Sequence, residues 1–253
     1  RLAFNGAEAV GADTIERFQQ RYARYGLPAA AMTPVYGLAE SSVGLLFPPL
    51  DRGPRIDCIA RDALARDGRA VPAAAGDATA LRFVSCGRPL AGHEVRIVDD
   101  AGREVGERVE GHLQFRGPSA TRGYFNNPDE TARLLHDGWL DSGDRAYWAQ
   151  DEVVLTGRVK DIVIRGGRNL YPQEIEEAVG AVDGVRKGCV AAFGMPNPVT
   201  GTERLVVLAE TRIDDAKLRR DLEAAIVRAV VEAVGEPPDE VVLAPPHTVL
   251  KTS

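Results

Sequence analysis

No apolar stretch of this 253-residue chain approaches the ~18 residues of a membrane-spanning helix, so a helical membrane span is not expected. Cysteine is scarce. The three present, Cys58, Cys86 and Cys189, are odd in number and lack CxxC spacing, which argues against a disulfide framework or a zinc site. Three buried thiols in a reducing cytoplasm are expected instead. There is no basic run: the formal net charge is -6 and acids are interspersed with Arg and Lys, which argues against a nucleic-acid partner. The histidines, His93, His112, His136 and His247, show neither metal spacing nor a Ser or Cys partner. Repeats and low-complexity tracts are absent. The chain opens on Arg1-Leu2-Ala3-Phe4 as though inside a strand, with no leader, and both ends read as cut.

What is present is the composition of a folded protein, with 44% hydrophobic and 27% charged residues in a length that suits two domains. Ile15, Phe18, Tyr22 and Tyr25 recur at helical spacing between a cap at Asp13 or Thr14 and a stop at Gly26. With the apolar run Ala29 to Tyr36, residues 1–50 read as strand, helix, strand, loop, the end of a parallel α/β sheet. Residues 51–80 carry little periodicity and end in an exposed Ala, Gly and Pro rich loop. From Leu81 the pattern is of short strands, at 81–85, 94–98, 112–115 and 152–155, forming a small β-barrel or sandwich through residue 157. Residues 158–253 read as a small α+β domain: a strand at 162–164, a helix opened by Pro172, strands at 188–193 and 205–210, and a helix from Asp215 to Val234. Leu218, Leu222, Ile226, Val230 and Val234 step along one face of that helix.

Five strings occur in order: Asn5-Gly6-Ala7-Glu8, Tyr36-Gly37-Leu38-Ala39-Glu40, Gly138-Trp139-Leu140-Asp141-Ser142-Gly143-Asp144, Gly157-Arg158-Val159-Lys160-Asp161, and Gly166-Gly167-Arg168-Asn169-Leu170-Tyr171-Pro172. Together they resemble the motifs of the acyl-adenylate-forming, AMP-binding superfamily, and agreement of five ordered strings by chance is negligible. The strings YGLAE, VSCGRPL at Val84 to Leu90, and GRNLYPQEIE are most similar to fatty acyl-AMP ligases and long-chain acyl-CoA synthetases. The resemblance implies a two-step ligase. A carboxylate attacks the α-phosphate of ATP, releasing pyrophosphate, and a phosphopantetheine thiol then takes the acyl group from the adenylate.

It also implies roles for particular residues. Gly6, Ala7 and Glu8 would let adenine lie against backbone, or simply form the turn after a strand. Tyr36 would sit beside the base, Gly37 would offer backbone N–H near phosphate, and Glu40 would hold Mg²⁺, unless it is a solvated loop carboxylate. Ala39 stands where the family often has a hydroxyl toward the α-phosphate. Asp144 would accept both ribose hydroxyls, or simply close a turn after Gly143, and Arg158 would reach the same ribose or a phosphate, or form a surface salt bridge. Lys160 matches the hinge between the large and small domains, or is an exposed charge. Gly166 and Gly167 would admit the thiol arm, or form a tight turn. Trp139 and Trp148 read as packing residues. Val43, Leu45, Leu46 and Phe47 read as core or as the lining of an acyl tunnel.

Leu250-Lys251-Thr252-Ser253 resembles the start of the family's final motif, whose lysine would follow shortly after Ser253. The phosphate loop would precede Gly6. The chain is thus expected to be the C-terminal half of the enzyme and to be inactive alone, with no catalytic residue of its own. The expected ligands are ATP or AMP, Mg²⁺ and a fatty or other apolar acid, in fatty acid metabolism. The acceptor is a carrier protein, toward which Ile56 to Pro72 leans, or coenzyme A. A non-catalytic nucleotide-binding module is the alternative.

Overall fold

A computed structural model describes residues 2–196 and 203–249; the tail motif at Lys251 to Ser253 lies outside them. The chain divides into two compact units between Val159 and Lys160.

The first unit opens with β1 (Ala3–Asn5), α1 (Ala12–Ala23) and β2 (Met32–Pro34), and β1 pairs in parallel with β2, Ala3 facing Met32 and Asn5 facing Pro34. This is the expected strand-helix-strand unit. The helix differs from its sequence pattern: it starts at Ala12 after Gly11, with no side-chain cap, so Asp13 lies in the first turn and bonds Arg82 at 2.5 Å. Of the four periodic residues only Ile15 is buried, while Phe18, Tyr22 and Tyr25 are exposed and stack along one another. Periodicity marks which residues share a face; it does not supply the partner that covers it.

There follow β3 (Leu46–Phe47), β4 (Ile56–Ile59), α2 (Arg61–Asp67), β5 (Leu81–Pro89), β6 (Glu94–Val98), β7 (Gly111–Arg116), α3 (Pro128–Leu134), β8 (Leu135–His136), β9 (Trp139–Ala149) and β10 (Glu152–Arg158). Among the described residues these strands make an antiparallel sheet in the order β3-β5-β10-β9-β7-β6, with β4 also on β5 and β8 on β9. Register shifts at Val153/Val154, Leu155/Gly157 and His112/Gln114 interrupt the ladders. Such bulges add twist, which curls the sheet into a half-barrel around Leu45, Leu46, Ile97, Leu113, Phe115 and Val153.

Two elements here depart from expectation. Residues 51–80, which carry little periodicity in sequence, hold β4 and α2, and the exposed loop expected at their end follows over 71–80. Only Leu64 and Ala65 of α2 are buried, too few to write a period into the sequence. The eleven-residue β9 was hidden because Asp141-Ser142-Gly143-Asp144 has turn composition, yet β7 and β10 pair with it on both sides. Cys58 also departs, lying exposed on β4 while Cys86 is buried and Cys189 half-buried; all three are free thiols.

The second unit contains β11 (Val163–Arg165), β12 (Arg168–Leu170), α4 (Pro172–Gly180), β13 (Val185–Pro196), β14 (Glu203–Thr211), α5 (Ala216–Val234) and β15 (Glu240–Ala244). Strands β13 and β14 run antiparallel and β15 lies parallel to β14. Pro172 opens α4, where its missing N–H costs nothing. Asp215 caps α5, accepting from the N–H groups of Lys217 and Leu218 at 2.9 Å each. Leu222, Ile226, Val230 and Val234 are buried against Val179, Val190 and Val207, whereas Leu218, assigned to the same face, is exposed. The buried stripe begins one turn later.

Candidate functional site

The parallel pair β1 and β2 directs two loops from its carboxyl edge, the position at which open α/β sheets bind ligands. Val35 N–H extends the pairing to the Asn5 carbonyl at 2.9 Å, so Gly6-Ala7-Glu8 and Tyr36-Gly37 leave side by side. A Cβ on Gly6 would stand 2.8 Å from the Val35 carbonyl oxygen, and one on Gly37 would stand 1.7 Å from that of Val43. Both positions therefore exclude larger residues. Tyr36 is tied to the half-barrel through Leu46, its N–H donating to the Leu46 carbonyl at 3.1 Å and its carbonyl accepting from Leu46 N–H at 2.8 Å.

This tether aims the Tyr36 ring at the middle of β9. The phenol donates a short hydrogen bond to Asp144 Oδ2, across 108 residues of sequence. Asp144 is 9% exposed. Its own N–H reaches Ser142 Oγ at 3.1 Å, Ser142 in turn donates to the Leu113 carbonyl at 2.8 Å, and Gly143 adopts φ +73 to make the bend. Across the ladder, Arg158 on β10 faces Asp144, with Nε 3.6 Å from Oδ1. Burial, reinforced by the Asp144 charge, holds the Tyr36 phenol well above its ordinary pKa, so it remains a donor. The same burial, with Asp144 and Glu152 nearby, pushes the Cys86 thiol up to about 12 and keeps it unreactive.

The structure thus joins Tyr36, Asp144 and Arg158 in one cluster, with Gly6 to Glu8 on the same sheet edge. Glu40 lies in a single helical turn, Ala39–Ser41. Its carbonyl accepts from Thr121 N–H at 2.8 Å and its Oε1 from the Tyr124 phenol at 2.5 Å, a bond that pushes the Tyr124 pKa up to about 12. Tyr124, 84 residues from Glu40, was not legible as its partner. Among the described residues no group of three or more His, Cys, Asp or Glu could hold a metal ion. A lone half-buried carboxylate suits Mg²⁺ that takes its remaining ligands from phosphate and water.

Lys160 is exposed at the start of the second unit. Gly166 and Gly167 form the two-residue turn between β11 and β12 with φ +55 and +75, and a Cβ on either would meet nothing within 4 Å.

Other expectations fare unevenly. His93 does have a serine partner, Ser119, whose Oγ lies 2.7 Å from Nε2. Ser119 donates its proton to the Ser41 carbonyl at 2.9 Å, so the pair is a loop tie rather than a base and nucleophile. Leu45 and Leu46 are core, whereas Val43 is 79% exposed. Trp139 packs between the guanidinium groups of Arg96 and Arg116, at 4.5 and 4.4 Å.

Residues 1–125 match the sequence model of the AMP-binding enzyme family. The chain is 37% identical to a Caulobacter vibrioides protein provisionally named an acyl-CoA synthetase, over 89% of this chain and 40% of that protein. It is 33% identical to the medium-chain-fatty-acid–[acyl-carrier-protein] ligase of Moorena producens, over 83% of this chain and 37% of that enzyme. A solved structure from work on fatty acyl-adenylate ligases of E. coli and L. pneumophila superposes with a TM-score of 0.90 and 31% identity, covering 100% of this chain and 44% of that one. The chain therefore spans less than half the length of these proteins.

Proposed function

This chain belongs to the AMP-binding enzyme family, and from that premise we propose that the full-length protein activates a fatty acid as its adenylate and passes the acyl group to a carrier-protein phosphopantetheine. The observation that carries the reading is the Tyr36–Asp144–Arg158 cluster at the carboxyl edge of β1 and β2.

Asp144 accepts the ribose hydroxyls. The Tyr36 phenol donates to Oδ2 of this carboxylate, which orients the group. Arg158, more than 3.5 Å from Asp144, is loosely paired and available to ribose or phosphate. The backbone of Gly6, Ala7 and Glu8 lies against adenine, beside the ring of Tyr36 and the N–H of Gly37. Glu40 would hold Mg²⁺, which would neutralise charge on the polyphosphate. The substrate carboxylate then displaces pyrophosphate from the α-phosphorus, and in the second step the thiol displaces AMP. Lys160 serves as hinge and Gly166-Gly167 as the open loop beside the thiol arm; the final lysine is expected in the segment following Ser253. The free thiols fit a reducing, cytoplasmic setting.

Coenzyme A is the competing acceptor, favoured by the acyl-CoA synthetase name of the Caulobacter relative. ATP–pyrophosphate exchange by the full-length protein with a panel of acids tests the first step, and acyl transfer to holo-carrier protein against coenzyme A tests the second. Exchange that is strongest with amino acids would sink the fatty-acyl reading while leaving adenylation intact. Efficient thioester formation on coenzyme A but not on carrier protein would reverse the choice of acceptor.

A further inference from the structure

Glu210 is an unusual residue for the middle of a sheet. It lies on β14 opposite Ala244 of β15, and its side chain is fully buried. Carboxylates are almost never fully buried unless paired, and this one is surrounded by donors. Arg186, just after Val185 at the start of β13, forms an ion pair with Oε2. Oε1 accepts from Val249 N–H at 2.7 Å, and the backbone N–H groups of His247 and Thr248 are also directed to the carboxylate. Three successive amides converging on one anion make a backbone nest, and His247 adopts φ +70 to form it. Thr248 Oγ1 closes the turn by donating to the Pro245 carbonyl at 2.7 Å. Burial alone would raise the Glu210 pKa, but the N–H groups of Val249 and His247, then Arg186 and Thr248, bring it down to about 2. The site is built for a permanent anion, and the chain supplies its own.

The nest stands where the chain leaves β15 for the segment beginning at Leu250. We propose that Glu210 is a positioning residue for adenylation: by clamping the amides of residues 247–249 it fixes the point from which that segment departs. A short tether fixed at its root restricts where its later residues can reach, and a displacement of about 1 Å at a reacting group can cost on the order of a hundredfold in rate. Arg186 keeps the carboxylate ionised and oriented. The inference rests on the adenylation reading above, in which the segment beyond Val249 contributes to the reaction.

The test is Glu210→Gln in the full-length protein, with two readouts. Hydrogen exchange at the amides of residues 247–249 should accelerate about tenfold or more as the nest loses its anion. In ATP–pyrophosphate exchange kcat should fall about tenfold to a hundredfold, with KM for the acid within about twofold, because substrate binding is untouched. If Glu210→Gln does not fold, Glu210→Asp keeps the charge opposite Arg186 but withdraws the carboxylate by one methylene, and the same pair of changes is expected. Unchanged kcat with deprotected amides would overturn the positioning role and leave adenylation standing. Amides as protected as in the parent would overturn the clamp itself. A parent protein that forms no adenylate from any acid would fail the adenylation reading, and the positioning role with it.

Discussion

Asp144 and Glu210, one in each unit, are both carboxylates beneath the surface, and they are held in opposite ways. Asp144 has a phenol on one oxygen and a guanidinium at 3.6 Å from the other, both of them side chains brought by other elements. Glu210 is saturated by an arginine and three backbone amides. Side chains can turn aside for a ligand, whereas the backbone amides of a turn cannot leave a carboxylate without opening the turn. The difference lies in the partners, not in burial.

The contrast is sharpest under substitution. Asp144→Ala in the full-length protein should weaken an acyl-AMP analogue by about 3 kcal/mol, two charge-assisted hydrogen bonds at ~1.5 to 3 each, or on the order of a hundredfold. Isothermal titration reads this directly, and an unchanged dissociation constant would remove Asp144 from the site. Tyr36→Phe deletes only the orienting bond, so about 1.5 kcal/mol, roughly tenfold, is expected by the same titration. A loss as large as that of Asp144→Ala would mean that the phenol itself contacts the ligand.

Acid separates the carboxylates by another route. Because the Glu210 pKa is depressed from its ordinary 4.5 to about 2, its contribution is fully present above the ordinary value and is lost as pH falls through about 2. The Val249 amide resonance should therefore hold its position from neutrality to about pH 4.5 and move only below it. Movement near pH 6 would show that a different group titrates there. The smallest effect is expected at Leu218, which is 54% exposed: Leu218→Ser should change unfolding free energy by within ~0.5 kcal/mol in urea titration, against ~2 to 5 for Leu222→Ala. Equal costs would place Leu218 back on the buried stripe.

Local chemistry was readable wherever it acts within a few residues. Pro172 at a helix start, the helix over Asp215 to Val234 with its 3.6-residue stripe from Leu222, and the paired glycines at 166 and 167 are short-range matters, settled by backbone sterics and neighbouring amides. The strand-helix-strand opening was equally plain, because Gly26 and the apolar run after it punctuate the chain.

The tertiary structure decided what depends on distant partners. Asp141 to Asp144 has the composition of a turn and becomes strand only because β7 and β10 bond to both its edges. Tyr36 finds Asp144 across 108 residues, Glu40 finds Tyr124 across 84, and Glu210 finds Val249 across 39. A carboxylate carries no mark in sequence of how many donors will surround it, since those donors are brought by sheet pairing and loop closure. By itself the sequence determined the elements that local chemistry punctuates and the family that its motifs resemble; only the packed fold decided which of its acids is held by side chains and which by backbone.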